Sequence, residues 1–366
     1  MIKRYFMFEE LTNILDGFLD DGIPGYDCIV LHKGNVLYRH MNGYSDKENK
    51  IPVNGKERYN LYSASKMITC TAALMLYEKG YFKLEDKLCD YMPEFKKMYF
   101  KAAGDIKMCS KPITVENLFC MTAGFSYDLN SPMLKKAREE TDNRCPTREV
   151  MKYLAQEPLL FEPGERWEYS LCHDVLAAFV EIVSGMRFGE FVRKNIFEPL
   201  GMKDSTYNLD DSQIDTVSAQ YTYNAESGIA EPRSKTIDYK LGSEYESGGA
   251  GCISTLEDYT LFLEALRKGE LLRPETVELM SKNRLTKEQL KSYWGTDRGY
   301  GLGVACANDE FPDAPFGWGG AAGAYPLIDI NHELTFFYIQ HVLNTNCDLR
   351  NNKLYDFFTK QLVPNI

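Results

Sequence analysis

The chain has 366 residues, of which 44% are hydrophobic and 26% charged, a composition typical of a globular protein with ample material for a core. Its formal net charge is −11 and its lysines and arginines form no cluster, which argues against nucleic acid and anionic membranes as partners. No apolar run reaches the length of a membrane span.

The N-terminal residues and the cysteines predict a cytoplasmic protein. The first ten residues have neither the apolar core nor the small-residue cleavage site of a secretory signal. The ten cysteines form no Cys-x-x-Cys pair, so we expect reduced thiols packed as small apolar groups. The five histidines are not spaced as metal ligands, and we predict no metal and no other cofactor.

In chain order, the first elements predict a helix followed by a β-hairpin. Residues 6–19 carry apolar side chains at helical spacing, and the turn-like residues 22–25 end that pattern. Residues 26–31 and 36–41 are strand-like and flank a hairpin turn at 33–35.

The middle of the chain predicts a mostly helical region. Residues 67–77 are apolar on nearly every face, which is typical of a helix buried in a large core, and Gly80 is placed to end it. An irregular link is expected over 84–95. Four further helices are predicted over 115–121 with Thr114 as N-cap, 148–155, 174–183 and 188–196.

Strand patterns return near the end of the chain. Polar, glycine-rich connections are predicted over 203–251 and a helix over 253–266 with Thr255 as its cap. The remaining predicted elements are a strand over 300–306, a hairpin of 324–330 with 333–341, and a closing helix over 348–362.

This order of elements predicts an α+β fold. Strands lie at both ends of the chain and helices in the middle, so we expect an antiparallel sheet built from both ends and flanked by helices. The length favours two packed subdomains. We place a discontinuous sheet subdomain at residues 1–80 and 215–366, and a mostly helical subdomain at residues 81–214.

A serine and a lysine at helical spacing provide the first part of a candidate site. Ser63 is the only serine with a lysine, Lys66, three residues later, and residues i and i+3 share one face of a helix. A serine hydroxyl needs a base to act as a nucleophile, and a helix N-terminus adds a backbone N–H for an oxyanion. The alternative is an exposed helix start with a solvated lysine.

Tyr169 provides a possible base. It lies between a turn at 161–164 and the apolar segment that begins at Asp174, where a phenol could reach a cleft floor. A nearby lysine favours the phenolate form, and a Lys–Tyr pair could take the proton of a serine and pass it to a leaving group. The alternative is one more core tyrosine among 24.

A glycine-rich segment at 317–323 precedes the last predicted hairpin. Glycines at a strand edge allow a ligand to approach the backbone closely. The N–H of Ala321 is therefore a candidate oxyanion donor opposite that of Ser63. The alternative is an ordinary bulge or turn.

In this order and spacing, the three pieces resemble the serine β-lactamase and penicillin-binding protein superfamily. Within it they are most similar to the class C β-lactamase-related group, which includes the family VIII carboxylesterases. The resemblance covers nearly the whole chain. Beside the Ser63 and Tyr169 motifs, it is carried by stretches at 117–124, 161–164, 197–202, 247–255, 300–303 and 318–320.

The resemblance implies a β-lactamase/transpeptidase-like fold with the site in a cleft between the subdomains. It implies Ser63 as nucleophile, Lys66 as its partner and Tyr169 as general base. It further implies an oxyanion hole formed by the N–H groups of Ser63 and Ala321. The implied substrate-binding residues are Trp318, Gly319 and Gly320.

The chain departs from class C β-lactamases at two motifs. Their Tyr-x-Asn is Tyr169-Ser170-Leu171 here, and their Lys-Thr-Gly is Trp318-Gly319-Gly320. The missing amide, lysine and hydroxyl would hold the side-chain amide and carboxylate of a β-lactam. Their replacement favours a substrate without that carboxylate, such as an ester.

We therefore predict a metal-independent serine hydrolase that forms an acyl-enzyme on Ser63. Its predicted substrate is a small-molecule ester or amide, and its predicted activity is most similar to that of a carboxylesterase. The alternatives are a β-lactamase or D-amino-acid peptidase and, outside enzymes, a non-catalytic ligand-binding module on the same scaffold. An α/β-hydrolase is disfavoured because the chain has no Gly-x-Ser-x-Gly. Segments 126–142 and 222–246 are polar and are predicted to be irregular and to shape the mouth of the cleft. The oligomeric state is left open.

Overall fold

A five-stranded antiparallel sheet lies at the centre of the protein, whose computed structural model describes residues 2–295 and 298–366. Its strands are Gly25–His32 (β1), Asn35–Asp46 (β2), Ile51–Pro52 (β3), Tyr325–Asp329 (β12) and Leu334–Gln340 (β13). The strand order is β12-β13-β1-β2-β3. The last strand of this sheet along the chain, β13, therefore pairs with the first, β1. The prediction of a sheet built from both chain ends is confirmed.

The sheet is buried on both faces because successive side chains of a strand point to opposite sides. Along β1, Val30 belongs to one hydrophobic core and Ile29 to the other, and Phe336 and Phe337 divide in the same way along β13. The first core is covered by helices Ile2–Asp20 (α1) and Cys347–Phe357 (α12), and the second by Leu256–Arg267 (α9).

Helix Ser65–Glu78 (α2) follows the candidate nucleophile and is enclosed as the sequence predicts. Every residue from Ser65 to Leu74 is buried, and α2 packs against Cys172–Ser184 (α6). The chain leaves the helix through Gly80, which has a φ of +74°. Glycine adopts this left-handed conformation at no steric cost, so its predicted role as a helix stop is confirmed.

The other helices agree with most of the sequence predictions. They are Val115–Phe119 (α3), Pro132–Glu140 (α4), Thr147–Leu154 (α5), Phe188–Val192 (α7), Glu198–Leu200 (α8), Pro274–Met280 (α10) and Lys287–Leu290 (α11). Thr114 caps α3 in a reciprocal capping box and Thr255 caps α9, as predicted. The expected irregularity of segment 126–142 is wrong over α4, where Ser131 accepts a hydrogen bond from Leu134 N–H.

The smaller strands correct two predictions. They are Tyr59–Asn60 (β4), Tyr99–Ala102 (β5), Asp105–Met108 (β6), Gln220–Asn224 (β7), Ile229–Arg233 (β8), Ile253–Ser254 (β9), Gly299–Tyr300 (β10), Ala305–Cys306 (β11) and Val342–Leu343 (β14). Segment 203–251 contains the β7–β8 hairpin instead of connections alone. Segment 300–306 is the β10–β11 hairpin instead of one strand, because the chain turns at Gly303, whose φ is +88°.

Two further observations concern the whole described chain. The ten cysteines are free thiols; seven are buried, and Cys89, Cys109 and Cys347 are half-buried. Among the residues described, none of the helices combines the length and apolar content needed to cross a bilayer. The division into subdomains at residues 80, 81, 214 and 215 stays a prediction.

A buried histidine joins the sheet to the segment that carries Ser63. His341 directly follows β13, its Nε2 accepts a hydrogen bond from Asn60 N–H at 3.2 Å, and its Nδ1 lies 3.2 Å from the carbonyl oxygen of Ala219. This pattern requires a neutral ring with the proton on Nδ1. Burial lowers the pKa of His341 to about 4 and that of His173, also buried, to about 3.

We expect stability to fall as the pH drops below about 6.5, the pKa of an unfolded histidine. Between that value and the native pKa, the unfolded chain binds more protons, so acid favours unfolding. His341→Gln keeps a donor and an acceptor but does not titrate. Its free energy of unfolding should therefore fall by about 2 kcal/mol less than that of the wild type between pH 7 and pH 5, measured by urea denaturation. His332→Gln removes an exposed histidine as the control, and an unchanged pH dependence in His341→Gln would contradict the assignment.

Candidate active site

Ser63 lies in a strained turn at the start of α2. The single 3₁₀ turn Tyr62–Ala64 precedes the helix, and Tyr62 has a φ of +47°, a conformation that a bulky residue rarely adopts. The Tyr62 ring is fully buried, and its hydroxyl donates to Gln220 Oε1 at 2.7 Å. Anchored in this way, the turn leaves Ser63 partly exposed while its neighbours are buried.

Lys66 lies one helical turn after Ser63 with no exposed surface. Its Nζ donates to the carbonyl oxygen of Gly249 at 2.7 Å and to Ser63 Oγ at 3.4 Å. A buried ammonium group needs such acceptors because its transfer from water costs several kcal/mol. The predicted position of Lys66 beside the Ser63 hydroxyl is confirmed.

Tyr169 reaches the same hydroxyl from the loop before α6. Its phenol donates a hydrogen bond to Ser63 Oγ, and Lys66 Nζ lies 4.6 Å from the centre of its ring. Because α6 packs on α2, the loop that ends at α6 is brought to the start of α2. The structure therefore brings together the three residues that the sequence singled out, and their chemical roles stay predictions.

Tyr127 is a member of the cluster that the sequence reasoning missed. Its ring stacks on that of Tyr169 with centroids 5.2 Å apart, and its hydroxyl accepts from Lys66 Nζ at 3.4 Å. Burial, reinforced by the charges of Tyr169 and Asp174, raises the pKa of Tyr127 well above its ordinary value. Tyr127 is thus a neutral hydrogen-bond partner for Lys66. The only indication of Tyr127 in the sequence was its position just after the motif at 117–124.

A buried carboxylate, Asp174, lies behind Lys66. Its Oδ1 accepts hydrogen bonds from Tyr245 at 2.9 Å and Ser247 at 2.6 Å. A Cβ added to Gly249 would meet Asp174 Oδ2 at 2.6 Å and Lys66 Nζ at 3.3 Å, so the two side chains face each other across this glycine. Burial raises the pKa of Asp174, whereas Ser247 and the Lys66 charge act in the opposite direction.

The glycine-rich segment packs directly on the nucleophile turn. A Cβ at Gly320 would lie 2.1 Å from the carbonyl oxygen of Leu61, two residues before Ser63. Only glycine allows that approach. Ala321 lines the cleft beside Ser63, and its role as an oxyanion donor stays a prediction. Trp318 stacks on Tyr169 with ring centroids 5.8 Å apart.

The cleft at Ser63 has a volume of about 760 Å³, and eight of the 22 residues that line it are aromatic. The predicted binding residues Trp318, Gly319 and Gly320 all line it. The other aromatic residues in its wall are Tyr127, Tyr169, Tyr239, Tyr293, Trp294, Tyr325 and Tyr355. Segments 126–142 and 222–246 each contribute one tyrosine to it. Within residues 2–295 and 298–366, no group of three or more His, Cys, Asp or Glu side chains is arranged to hold a metal ion.

The architecture is the β-lactamase/transpeptidase-like fold, as comparison with solved structures shows. EstCE1, a hydrolase with promiscuous acyltransferase activity, matches with a TM-score of 0.79 and 23% identity over 97% of this chain and 100% of its own. Simvastatin synthase from Aspergillus terreus matches with a TM-score of 0.78 and 24% identity over 96% and 97% of the two chains. The predicted fold class is confirmed.

The chain belongs to the β-lactamase family, because the sequence model of the family described as Beta-lactamase matches residues 11–358. Esterase EstB from Burkholderia gladioli is 28% identical over 280 residues, which cover 70% of this chain and 68% of the esterase. The superfamily proposed from the motifs is therefore confirmed, and it includes both hydrolytic and acyl-transfer enzymes.

Tyr127→Phe should lower kcat of any Ser63-dependent reaction about tenfold, because a hydrogen bond to the charged Lys66 is lost while the stacked ring remains. KM should change little if the hydroxyl orients Lys66 without contacting substrate. Steady-state kinetics on a chromogenic ester measure both constants. Tyr153→Phe, which removes the hydroxyl of a surface tyrosine bonded to Glu140, is the matched control. A Tyr127→Phe variant with wild-type kcat would show that the Tyr127 hydroxyl takes no part in the reaction.

Proposed function

We propose that the protein is a serine hydrolase that cleaves small esters through an acyl-enzyme on Ser63, most nearly a carboxylesterase. One observation carries the proposal. Lys66 Nζ and the Tyr169 hydroxyl both hydrogen-bond to Ser63 Oγ at the floor of an open cleft. A nucleophile with two proton-transfer partners and room for a ligand is the arrangement that covalent catalysis requires.

The first half of the reaction forms the acyl-enzyme. With Tyr169 as the phenolate beside the Lys66 ammonium, the Ser63 proton passes to the phenolate oxygen as Oγ attacks the ester carbonyl. The oxygen of the tetrahedral intermediate then accepts hydrogen bonds from the N–H groups of Ser63 and Ala321. Its collapse breaks the ester bond, and Tyr169 returns the proton to the departing alkoxide.

The second half releases the acyl group. A water molecule takes the place of the alcohol, and Tyr169 accepts its proton as the water oxygen attacks the acyl carbonyl. Collapse of the tetrahedral intermediate breaks the bond to Ser63 Oγ, and Tyr169 returns the proton to that oxygen, which regenerates Ser63 and releases a carboxylic acid. An alcohol in the place of water would give a new ester, which is acyl transfer by the same steps. The names of the similar proteins, which include an esterase and a hydrolase with acyltransferase activity, support this chemistry.

The cleft walls support an ester in preference to a β-lactam or a D-amino-acid peptide. Trp318 stands where class C β-lactamases have a lysine, and it stacks on Tyr169. Trp294, 60% exposed, lies edge-on to Tyr169 with ring centroids 5.3 Å apart. Aromatic surfaces beside the nucleophile favour apolar acyl or alkyl groups over the polar side-chain amide of a lactam or peptide.

Ser63→Ala should abolish hydrolysis of p-nitrophenyl esters, and Tyr169→Phe and Lys66→Ala should each lower kcat by about 10²–10⁴-fold, the usual contribution of acid–base groups. Tyr221→Phe removes the hydroxyl of a buried tyrosine that donates to Glu48 outside the cleft, and it is the matched control. Electrospray mass spectrometry of wild type mixed with ester should detect the acyl-enzyme, and its absence in Ser63→Ala locates the adduct.

The rivals are separated in the same assays. Nitrocefin or D-alanyl peptide hydrolysed with higher kcat/KM than every ester would favour a β-lactamase or a D-amino-acid peptidase. A fluorophosphonate probe that leaves Ser63 unlabelled in the folded protein, together with no turnover of any substrate, would favour a non-catalytic binding module.

A further inference from the structure

The cleft contains one basic residue among its described lining residues, Arg298. Its guanidinium lies 4.9 Å from the centre of the Tyr355 ring, and its side chain is only partly exposed. The Arg298 charge also acts on Tyr325, where it opposes the rise in the pKa that burial causes, to about 12. These contacts hold the cation in the wall of the cleft.

The guanidinium is charge-unbalanced within the described part of the chain. Among described groups, the largest acidic influences on it are the phenols of Tyr325, Tyr293 and Tyr355 and the Cys306 thiol. No described carboxylate forms an ion pair with it, although Asp348 lines the same cleft. By contrast, the buried Arg267 forms two hydrogen bonds with Glu264. An arginine has five N–H donors in a planar fork, so this one keeps donors for a bound anion.

This wall adjoins the segment that faces Ser63. A Cβ at Gly319 would lie 3.5 Å from the Tyr325 ring and 3.8 Å from Asn351 Nδ2, and Gly319 is two residues from Ala321. Asn351 Oδ1 is buried without a hydrogen-bond partner among the described residues. Buried polar atoms are nearly always satisfied, so this acceptor indicates a place for a water molecule or for a donor group of a ligand, whereas the Nδ2 group of the same amide is the donor for an anion.

We propose that Arg298, with Tyr325 and Asn351, forms a subsite for a carboxylate at the end of the substrate remote from the scissile bond, so that the preferred substrates are anionic esters. This inference rests on the proposed ester hydrolysis at Ser63. It differs from the sequence expectation of a substrate without a carboxylate, which concerned the group held at the motif that is Trp318-Gly319-Gly320 here. A planar guanidinium suits a planar carboxylate because two parallel hydrogen bonds can form.

Paired esters that differ in one charge test the subsite. Mono-p-nitrophenyl esters of straight-chain dicarboxylic acids, from adipate to sebacate, are compared with the p-nitrophenyl esters of the matching monocarboxylic acids. The measured quantity is the ratio of kcat/KM for the anionic ester to that for the neutral ester. Arg298→Gln should lower this ratio about ten- to hundredfold at the best chain length, mainly through KM, and Arg298→Lys should lower it less.

A second arm places the charge on the alcohol side. Butyrate esters of 4-hydroxybenzoate and of 4-hydroxybenzamide differ in one carboxylate, and the same ratio is measured. The arm that shows the dependence on Arg298 identifies the part of the substrate that reaches the subsite. Arg166→Gln is the matched control, since Arg166 also lies over an aromatic ring, that of Phe161 at 4.5 Å, but does not line the cleft.

A purely structural role for Arg298 predicts a different result. Loss of packing on Tyr355 would lower kcat/KM for both members of each pair and leave both ratios at the wild-type value, which would overturn the subsite. Binding provides a readout without turnover: Ser63→Ala should bind suberate more tightly than the Ser63→Ala/Arg298→Gln double variant in calorimetry. Neutral esters cleaved through Ser63 with unchanged ratios would refute the subsite alone, whereas no cleavage of any ester would refute the proposed function, and the calorimetry would then decide on the subsite.

Discussion

The burial of a single ammonium group, that of Lys66, sets the main constraint on this structure. An unpaired charge in the interior costs several kcal/mol, so acceptors must be brought to it. The carbonyl of Gly249 provides the shortest contact, at 2.7 Å. Only glycine fits at positions 248 and 249. A Cβ at Gly248 would lie 2.3 Å from the His173 carbonyl oxygen, and one at Gly249 would lie 2.6 Å from Asp174 Oδ2. The packing of α6, α2 and the 247–251 segment is thus tied to one side chain.

The cleft around Ser63 and Lys66 has regions of different chemical character. The Ser63 hydroxyl has the lysine and Tyr169 on one side and the glycine-rich backbone that packs on Leu61 on the other. The aromatic side chains beyond them give the cleft apolar surface for the body of a substrate. Arg298 lies in the wall as its one described cation. A substrate with a reactive carbonyl, an apolar body and an anionic end would match all three regions.

The elements that the sequence predicted correctly are those with strong local patterns. The strands β1 and β13 and the helices α1, α2 and α9 have long regular patterns or clear caps, and all were predicted. The β7–β8 hairpin was missed because Gln220–Asn224 and Ile229–Arg233 are half polar and show no regular alternation of buried and exposed residues. The turn at Gly303 was missed because its cause is distant in sequence: a Cβ there would lie 2.2 Å from Cys70 Sγ.

The sequence by itself determined the Ser63–Lys66 pair, because the spacing of residues i and i+3 on one helical face is set by backbone geometry within a single turn. It also determined, through several motifs in a fixed order, the family to which the chain belongs. Tertiary structure alone decided which phenols meet this pair. Tyr169 and Tyr127 lie 106 and 61 residues from their partners, and among 24 tyrosines no local feature distinguishes the one at 127. Its position depends on packing between distant segments, and so does the placement of Arg298 in the same cleft.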